Sequence, residues 1–320
     1  MSHTIPSDRF AQASPECGTL LIKDILGDSQ MDNRDWLILK VLSQEKSITK
    51  TAESLYISQP ALTKRLQQLE NEFGVQIVHR GRKGVQFTPH GEYLVKCADE
   101  MLHRFSQIKD HIDNMQDRVA GTLRLGVSNF ITRSKLPKLL KLFKNRYPEV
   151  EYKVTSGWSG DIYNLAHDQE VHVAFVRGDY KWQDQKHLLL QEPVCVASLS
   201  PIDLKDLPRL PRIDYEADHK LKELISNWWS AHYTEPPLIG IEVDKSDTCK
   251  EMVLNGLGYA ILPGLVIDGE PDIFSIPLTD KTGQPVLRET WMLYHEECME
   301  LKLVKAFVAF MKELDFRKAL

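Results

Sequence analysis

The apolar positions of the N-terminal third fall into three helical periods and then one alternating stretch. Over 34–45, Trp36, Leu37, Leu39, Val41 and Leu42 give a mostly apolar first helix. Ser47 and Thr49 offer N-cap oxygens to a short second helix that turns Ala52 and Leu55 inward. Tyr56-Ile57-Ser58 interrupts it, and Ser58 is placed to cap a third helix. Pro60 is tolerated there because first-turn amides have no intrahelical acceptor. Leu62, Leu66, Leu69 and Phe73 then recur at intervals of four, three and four, which defines one buried stripe. Gln59, Thr63, Lys64 and Gln67 lie on the opposite face, and Gly74 ends the helix. Residues 79–88, with paired glycines and an alternating tail, read as a hairpin with a basic tip.

From Leu94 the period changes. Leu94, Ala98, Met101, Phe105, Ile108, Ile112, Met115 and Val119 are spaced 4, 3, 4, 3, 4, 3 and 4, a repeat of 3.5 residues. Such a seam calls for a partner helix, and the simplest partner is a second copy of the chain. The seam residues Leu94, Ala98, Met101, Phe105, Ile108, Ile112 and Met115 are therefore expected to form a dimer interface.

Beyond Gly121, strand-like runs at 122–127, 151–154, 171–176, 194–197, 238–243, 259–262, 273–276 and 289–294 alternate with helical stretches. Those stretches lie around 134–146, 159–168, 217–232, 246–256 and 299–314. Strands alternating with helices predict parallel sheets covered on both faces. Ligands in such folds sit beyond the carboxyl ends of the strands. Here those ends carry Val127-Ser128-Asn129-Phe130, Thr155-Ser156-Gly157-Trp158-Ser159, Val176-Arg177-Gly178-Asp179 and Val243-Asp244-Lys245-Ser246. Their hydroxyls and amides suit an anion, and Arg177 adds a bidentate fork. The same serines equally suit helix caps, and Trp158 equally suits packing.

Composition and charge sharpen this outline. The chain of 320 residues has a formal net charge of −5, which argues against a uniformly basic coat for nucleic acid. Divided by segment, 46–90 carries seven Lys/Arg against three Glu, while 121–320 carries 25 basic against 29 acidic residues. A small basic reading unit thus precedes an acidic remainder. No run approaches the roughly 20 apolar residues of a membrane span, and the start of the chain lacks a signal peptide. Cys17, Cys97, Cys195, Cys249 and Cys298 are scattered, with no Cys-x-x-Cys pair, so a reducing cytoplasm fits better than a disulfide framework or a zinc site. Residues 1–30 show no periodicity and read as an extension, disordered or appended to the native chain.

Catalytic motifs are missing: no Gly-x-Gly-x-x-Gly after a strand, no phosphate loop, no His-Glu-x-x-His and no nucleophile elbow. His295-Glu296-Glu297-Cys298 has metal-ligating residue types but no partners in sequence. No catalytic residue, metal or cofactor is expected. Two short helices about a tight turn, with a polar face on the second and a basic hairpin after it, instead describe a winged helix-turn-helix. A Gln can read adenine in the major groove while Lys and Arg hold phosphates or read guanine.

These residues resemble a known family. Ser47-Ile48-Thr49-Lys50-Thr51-Ala52, Ser58-Gln59-Pro60-Ala61-Leu62-Thr63, Leu69-Glu70, Phe73-Gly74-Val75 and Thr88-Pro89-His90-Gly91 resemble the DNA-binding signature of LysR-type transcriptional regulators. Gly121-Thr122-Leu123-Arg124-Leu125-Gly126 and Gly256-Leu257-Gly258-Tyr259 are similar to landmarks of that family's effector domain. The resemblance implies an α/β chain overall: a winged helix-turn-helix (31–90), a dimerising linker helix (91–120) and a two-subdomain periplasmic-binding-protein-like (type 2) effector domain (121–320). Subdomain I would comprise 121–193 and 264–320, and subdomain II 194–263, with the chain crossing near 192–194 and 262–264.

It also implies DNA contacts at Thr49, Ser58, Gln59, Pro60, Thr63, Lys64, Arg80 and Arg82, on a pseudo-palindromic duplex operator. Thr63 and Lys64 stand where the family often has Ser and Arg. A homodimer or homotetramer that engages RNA polymerase follows by the same resemblance. Residues 155–159 and 176–182 look like the citrate-responsive members of Gram-positive bacteria, which would place a carboxylate co-inducer against Ser128, Arg177 and Arg288. Asn129, Phe130, Trp158, Ser159 and Ser246 complete the expected effector site. On sequence alone Arg288 suits a surface ion pair slightly better. A redox-sensing regulator using Cys195 or Cys249, and a cytoplasmic solute-binding or enzyme domain, are the rival readings.

Overall fold

The computed structural model describes residues 31–81, 84–115 and 118–316; the expected extension at 1–30 and the wing residue Arg82 lie outside them. The chain divides into two compact units at Ile108/Lys109.

The first unit contains α1 (Asn33–Glu45), α2 (Ile48–Ser54), α3 (Gln59–Phe73), the hairpin β1 (Val78–Gly81) and β2 (Gly84–Phe87), and the start of α4 (Pro89–Asn114). Its core gathers Ile38, Leu39, Leu42, Ala52, Leu62, Leu66, Leu69, Ile77, Val85, Leu94 and Ala98. Caps fix the joints. Asp32 and Asp35 form a reciprocal capping box on α1, Ser47 rather than Thr49 caps α2, and Ser58 caps α3. Tyr56 turns the chain at φ 55°, and Gly74 closes α3 at φ 64°.

Polar contacts set the angles between elements. Asp35, 1% exposed, receives Arg65 Nε and Nη2 at 2.6 Å each, which ties α1 to α3. The Glu70 carboxylate accepts from the Ile77 and Val78 amides at 2.9 and 3.2 Å, holding the hairpin to α3. Thr88 donates to the Gln76 carbonyl and accepts from the Gly91 amide at the head of α4. Gly91 is obligatory there, since a Cβ would lie 2.1 Å from the Ile77 carbonyl oxygen.

Helix α4 spans Pro89–Asn114, slightly earlier than the expected 91–120. The 3.5-residue seam divides. Leu94 and Ala98, expected at a dimer interface, are buried in the core of their own unit. Met101, Phe105, Ile108, Ile112 and Met115 are 43–73% exposed. Sequence periodicity cannot separate these two uses, because one helix face can serve both in succession.

The second unit is a mixed α/β fold rather than the purely parallel sheets expected. Strand β3 (Gly121–Ser128) pairs parallel with β4 (Val150–Gly157) and β5 (Val173–Arg177), whereas β11 (Leu287–Tyr294) runs antiparallel to β5 and to the first half of β6 (Gln185–Ser198). The second half of β6 pairs antiparallel with β9 (Ala260–Pro263) and β10 (Phe274–Pro277). A short parallel pair, β7 (Arg212–Tyr215) and β8 (Ile239–Val243), stands apart. The 14-residue β6 therefore runs through two lobes. Helices α5 (Asn129–Ser134), α6 (Leu136–Arg146), α7 (Ser159–His167) and, after β11, α11 (Lys302–Glu313) belong to lobe one. Helices α8 (His219–His232), α9 (Ser246–Leu254) and α10 (Gly264–Ile267) belong to lobe two.

Each lobe has its own core: Phe143, Phe175 and Phe307 in the first, and Trp228, Trp229 and Tyr259 in the second. The return crossing differs from the expected 262–264. Because β10 pairs with 195–198 and Leu278 and Val286 pack into the second core, the chain crosses back only at β11. The Gly-Leu-Gly-Tyr landmark preceding β9 marks a strand start within lobe two, not the end of that lobe.

Candidate functional site

Two surfaces carry the expected chemistry. On the first unit, Thr49, Ser58, Gln59, Pro60 and Lys64 are exposed, and Thr63 is half-buried. Thr49 Oγ1 lies 3.4 Å from Gln59 Oε1, which brings the starts of α2 and α3 together. The Ser58 hydroxyl accepts from the Ala61 amide at 3.3 Å, so it serves the helix as a cap while remaining at the surface. Leu62, Leu66 and Leu69 on the opposite side of α3 are fully buried, so packing alone fixes which face is presented. The hairpin places the backbone of Arg80 in β1; Arg82 lies outside the described residues.

The second surface is a cleft of about 410 Å³ between the lobes of the second unit. It is built from strand ends and the first turns of helices. Ser128, Asn129 and Phe130 come from the β3–α5 junction, Trp158 and Ser159 from the start of α7, Arg177 from the end of β5, Ser246 from the start of α9, and Arg288 from β11. All eight expected effector residues line this one cavity.

Its electrostatics are more balanced than two arginines suggest. The guanidinium of Arg177, 3% exposed, pairs with Glu192, whose other oxygen accepts from the Leu265 amide at 2.7 Å. Arg288 is buried, not at the surface, and pairs with Asp218. Asp218 in turn caps α8 by accepting from the Leu221 amide at 3.0 Å. Phe130 lies under Arg177, with its ring centre 4.3 Å from the guanidinium carbon. Burial, and then the proximity of Arg288, pull the Arg177 pKa down to about 10, so its charged form gains from a further anion. Burial raises the Tyr215 phenol well above its usual range and keeps it a neutral donor.

Four buried polar atoms on this wall have no hydrogen-bond partner: Ser128 Oγ, Arg177 Nε, Arg288 Nε and Tyr215 Oη. Ser128 stands at the N-cap position of α5, yet its side chain caps nothing. Ser159, by contrast, accepts from the Arg177 amide at 3.1 Å and so braces β5. Trp158 is 41% exposed at the rim.

Sequence reasoning missed Glu192, Asp218 and Tyr215. A glutamate within the apolar run from Leu188 to Ala197 was a visible signal. Asp218 was readable only as a helix cap, since its partner lies 70 residues away. The thiols of Cys195 and Cys249 are buried and pushed up to about 11 and about 12, chiefly by burial. Among the described residues no group of three or more His, Cys, Asp or Glu side chains is arranged to hold a metal, and no helix is long and apolar enough to cross a membrane.

Comparison with known proteins covers both units of the chain. The LysR substrate binding domain model matches residues 116–315, and that of the bacterial regulatory helix-turn-helix protein, lysR family, matches 34–92. YraN, an uncharacterized HTH-type transcriptional regulator of Bacillus subtilis strain 168, is 42% identical over 282 residues, covering 88% of this chain and 98% of its own length. YkuM, described likewise and from the same organism, is 34% identical over 279 residues, covering 87% and 95%. Full-length CbnR complexed with its target DNA superposes with a TM-score of 0.62 at 19% identity, covering 88% of this chain and 99% of its own. A full-length OxyR from Pseudomonas aeruginosa gives 0.61 at 19% identity, covering 90% and 97%. At such identity the structural matches establish the fold alone. The helix-turn-helix and the two-lobed domain, each matched over its length, make the chain a member of the LysR family of DNA-binding transcriptional regulators, and not an enzyme.

Proposed function

We propose that this regulator reads a two-fold symmetric operator as a dimer or dimer of dimers, and that an acceptor-rich, multiply charged carboxylate such as citrate tunes its binding. Four residues that line one cavity, each with a buried polar atom lacking a protein partner, carry this reading. Arg177 Nε and Arg288 Nε can only donate, and Ser128 and Tyr215 can donate, so the ligand that satisfies them presents acceptors. A small apolar ligand would supply none of the four with an acceptor.

Thr49, Ser58, Gln59, Pro60, Thr63 and Lys64, with Arg80 and Arg82 of the wing, form the operator face in this reading. Met101, Phe105, Ile108, Ile112 and Met115 supply the seam through which two copies join, since they extend a 3.5-residue repeat and are exposed in the single chain. Such a dimer presents two reading heads to two half-sites, and contact with RNA polymerase follows once it is seated on a promoter. The raised thiols of Cys195 and Cys249 favour a metabolite sensor over a peroxide sensor, because the thiolate is the reactive species. Isothermal titration of the full chain with citrate, tricarballylate and succinate tests the effector. Saturable heat that is lost in Arg177→Gln supports the reading, and no heat from any of the three refutes it.

A further inference from the structure

The pairing of Arg288 is the least economical feature of the cleft. Arg288 belongs to β11 and thus to lobe one, while Asp218 heads α8 in lobe two. Their ion pair is buried, with side chains 6% and 9% exposed, and it crosses the cleft. A second interlobe pair, Arg133 to Asp247 at 2.6 Å, lies nearer the solvent with side chains 56% and 46% exposed. Of these two ion pairs the buried one is insulated from salt and water, so it holds the lobes more strongly than the exposed one. Arg288, together with Leu221, also lines a neighbouring cavity of about 220 Å³.

We propose that Asp218 is a built-in carboxylate that occupies Arg288 in place of the effector. This rests on the anion reading above. An incoming carboxylate meets a guanidinium that is already neutralised, and it gains full access only by displacing Asp218. The exchange trades an interlobe bond for a ligand bond and releases the start of α8 from β11. Effector binding thereby loosens the lobe contact instead of tightening it. Glu192 cannot play the same part. Both carboxylates have their second oxygen held by a backbone amide, but Glu192 lies on β6, the strand that runs through both lobes, so its pairing with Arg177 fixes the arginine where it is. Arg177 becomes the standing half of the site and Arg288 the switched half. Asp218 also sets selectivity, since a ligand with one carboxylate can be held by Arg177 alone, whereas a second is needed to compete for Arg288.

Asp218→Asn separates the roles, because Asn caps a helix about as well as Asp but offers Arg288 no charge. In the full chain, titration with citrate should give a Kd at least about tenfold lower in Asp218→Asn than in the wild type, a difference of about 1.4 kcal/mol, while succinate gains more than monocarboxylic acetate. Hydrogen exchange without ligand supplies the independent readout: amides at the start of α8 and around Leu287–Glu289 should exchange faster in the variant. Equal citrate affinity with unchanged exchange overturns the proposal and leaves the anion reading standing. Faster exchange with no citrate heat in either protein supports the interlobe bond and removes the anion reading. Tighter citrate binding with unchanged exchange overturns the release of α8.

Discussion

Replacing Asp35 should unfold the reading head well before it alters any DNA contact. Asp35 is 1% exposed and accepts three hydrogen bonds: from the Asp32 amide at 2.7 Å, and from Arg65 Nε and Nη2 at 2.6 Å each. Its carboxylate is also the largest cause of the raised Arg65 pKa. Removing one partner of a buried pair costs about 3–5 kcal/mol, because the other is left uncompensated. The Arg65 side chain keeps 25% exposure and can recover some water, which lowers the expected cost of Asp35→Asn to about 2–3 kcal/mol. For a unit of this size each kcal/mol moves Tm by roughly 4–8 °C, so the helix-turn-helix transition should fall by roughly 10–20 °C while the effector unit's transition stays put. Calorimetry of the full chain resolves the two, and Asp35→Leu with Arg65→Met should recover much of the loss. A shift in Asp35→Asn of less than about 2 °C, or an equal shift in both transitions, refutes the claim that this pair fixes α1 on α3.

Three further outcomes follow from the same geometry. Phe105→Glu with Ile112→Glu, both at exposed seam positions, should convert the protein to monomers in sedimentation velocity without lowering its melting temperature, whereas Ala98→Glu should unfold the first unit. Lys64→Ala should weaken operator binding about evenly across sequences and reduce the slope of log affinity against log salt by about one. His172 is buried and accepts from the Arg124 amide at 3.2 Å, and burial lowers its pKa. The unfolded chain therefore takes up a proton that the folded one refuses, so stability of the effector unit should decline as pH falls below about 6.5. His172→Gln should remove that component of a pH-dependent melting series.

The parts legible in the sequence were those governed by local rules. Of the expected stripe, Leu62, Leu66 and Leu69 set the buried face of α3 while Phe73, in the last turn, is 41% exposed, and Gly74 marked the helix end, because period and cap act within a few residues. Each of the eight strand-like runs falls on one strand, four of them wholly inside it and four starting one or two residues early, while 194–197 covers only a short part of β6 and β7 was not anticipated. What escaped was long-range. The first half of β6, Gln185–Gln191, carries polar residues between its apolar ones and earns strand structure only by pairing with β11. The second crossing depends on β10 pairing with 195–198, about 80 residues earlier. The seam period was continuous, but its first two positions pack within the chain, a distinction that no one-dimensional pattern encodes. At the cleft, the arginine and hydroxyl residue types were visible, while the pairing of each arginine with its carboxylate was not, because the partners lie on different elements.

The central claim is that occupancy of the cleft changes how the reading heads engage DNA. Fluorescence anisotropy on an operator recovered by selection from random duplexes, with and without citrate at constant ionic strength, tests it directly. The account predicts that citrate shifts operator affinity or the retained half-site spacing in the wild type and leaves Arg177→Gln unaffected. Identical binding with and without citrate in the wild type, or an equal response in Arg177→Gln, would contradict it.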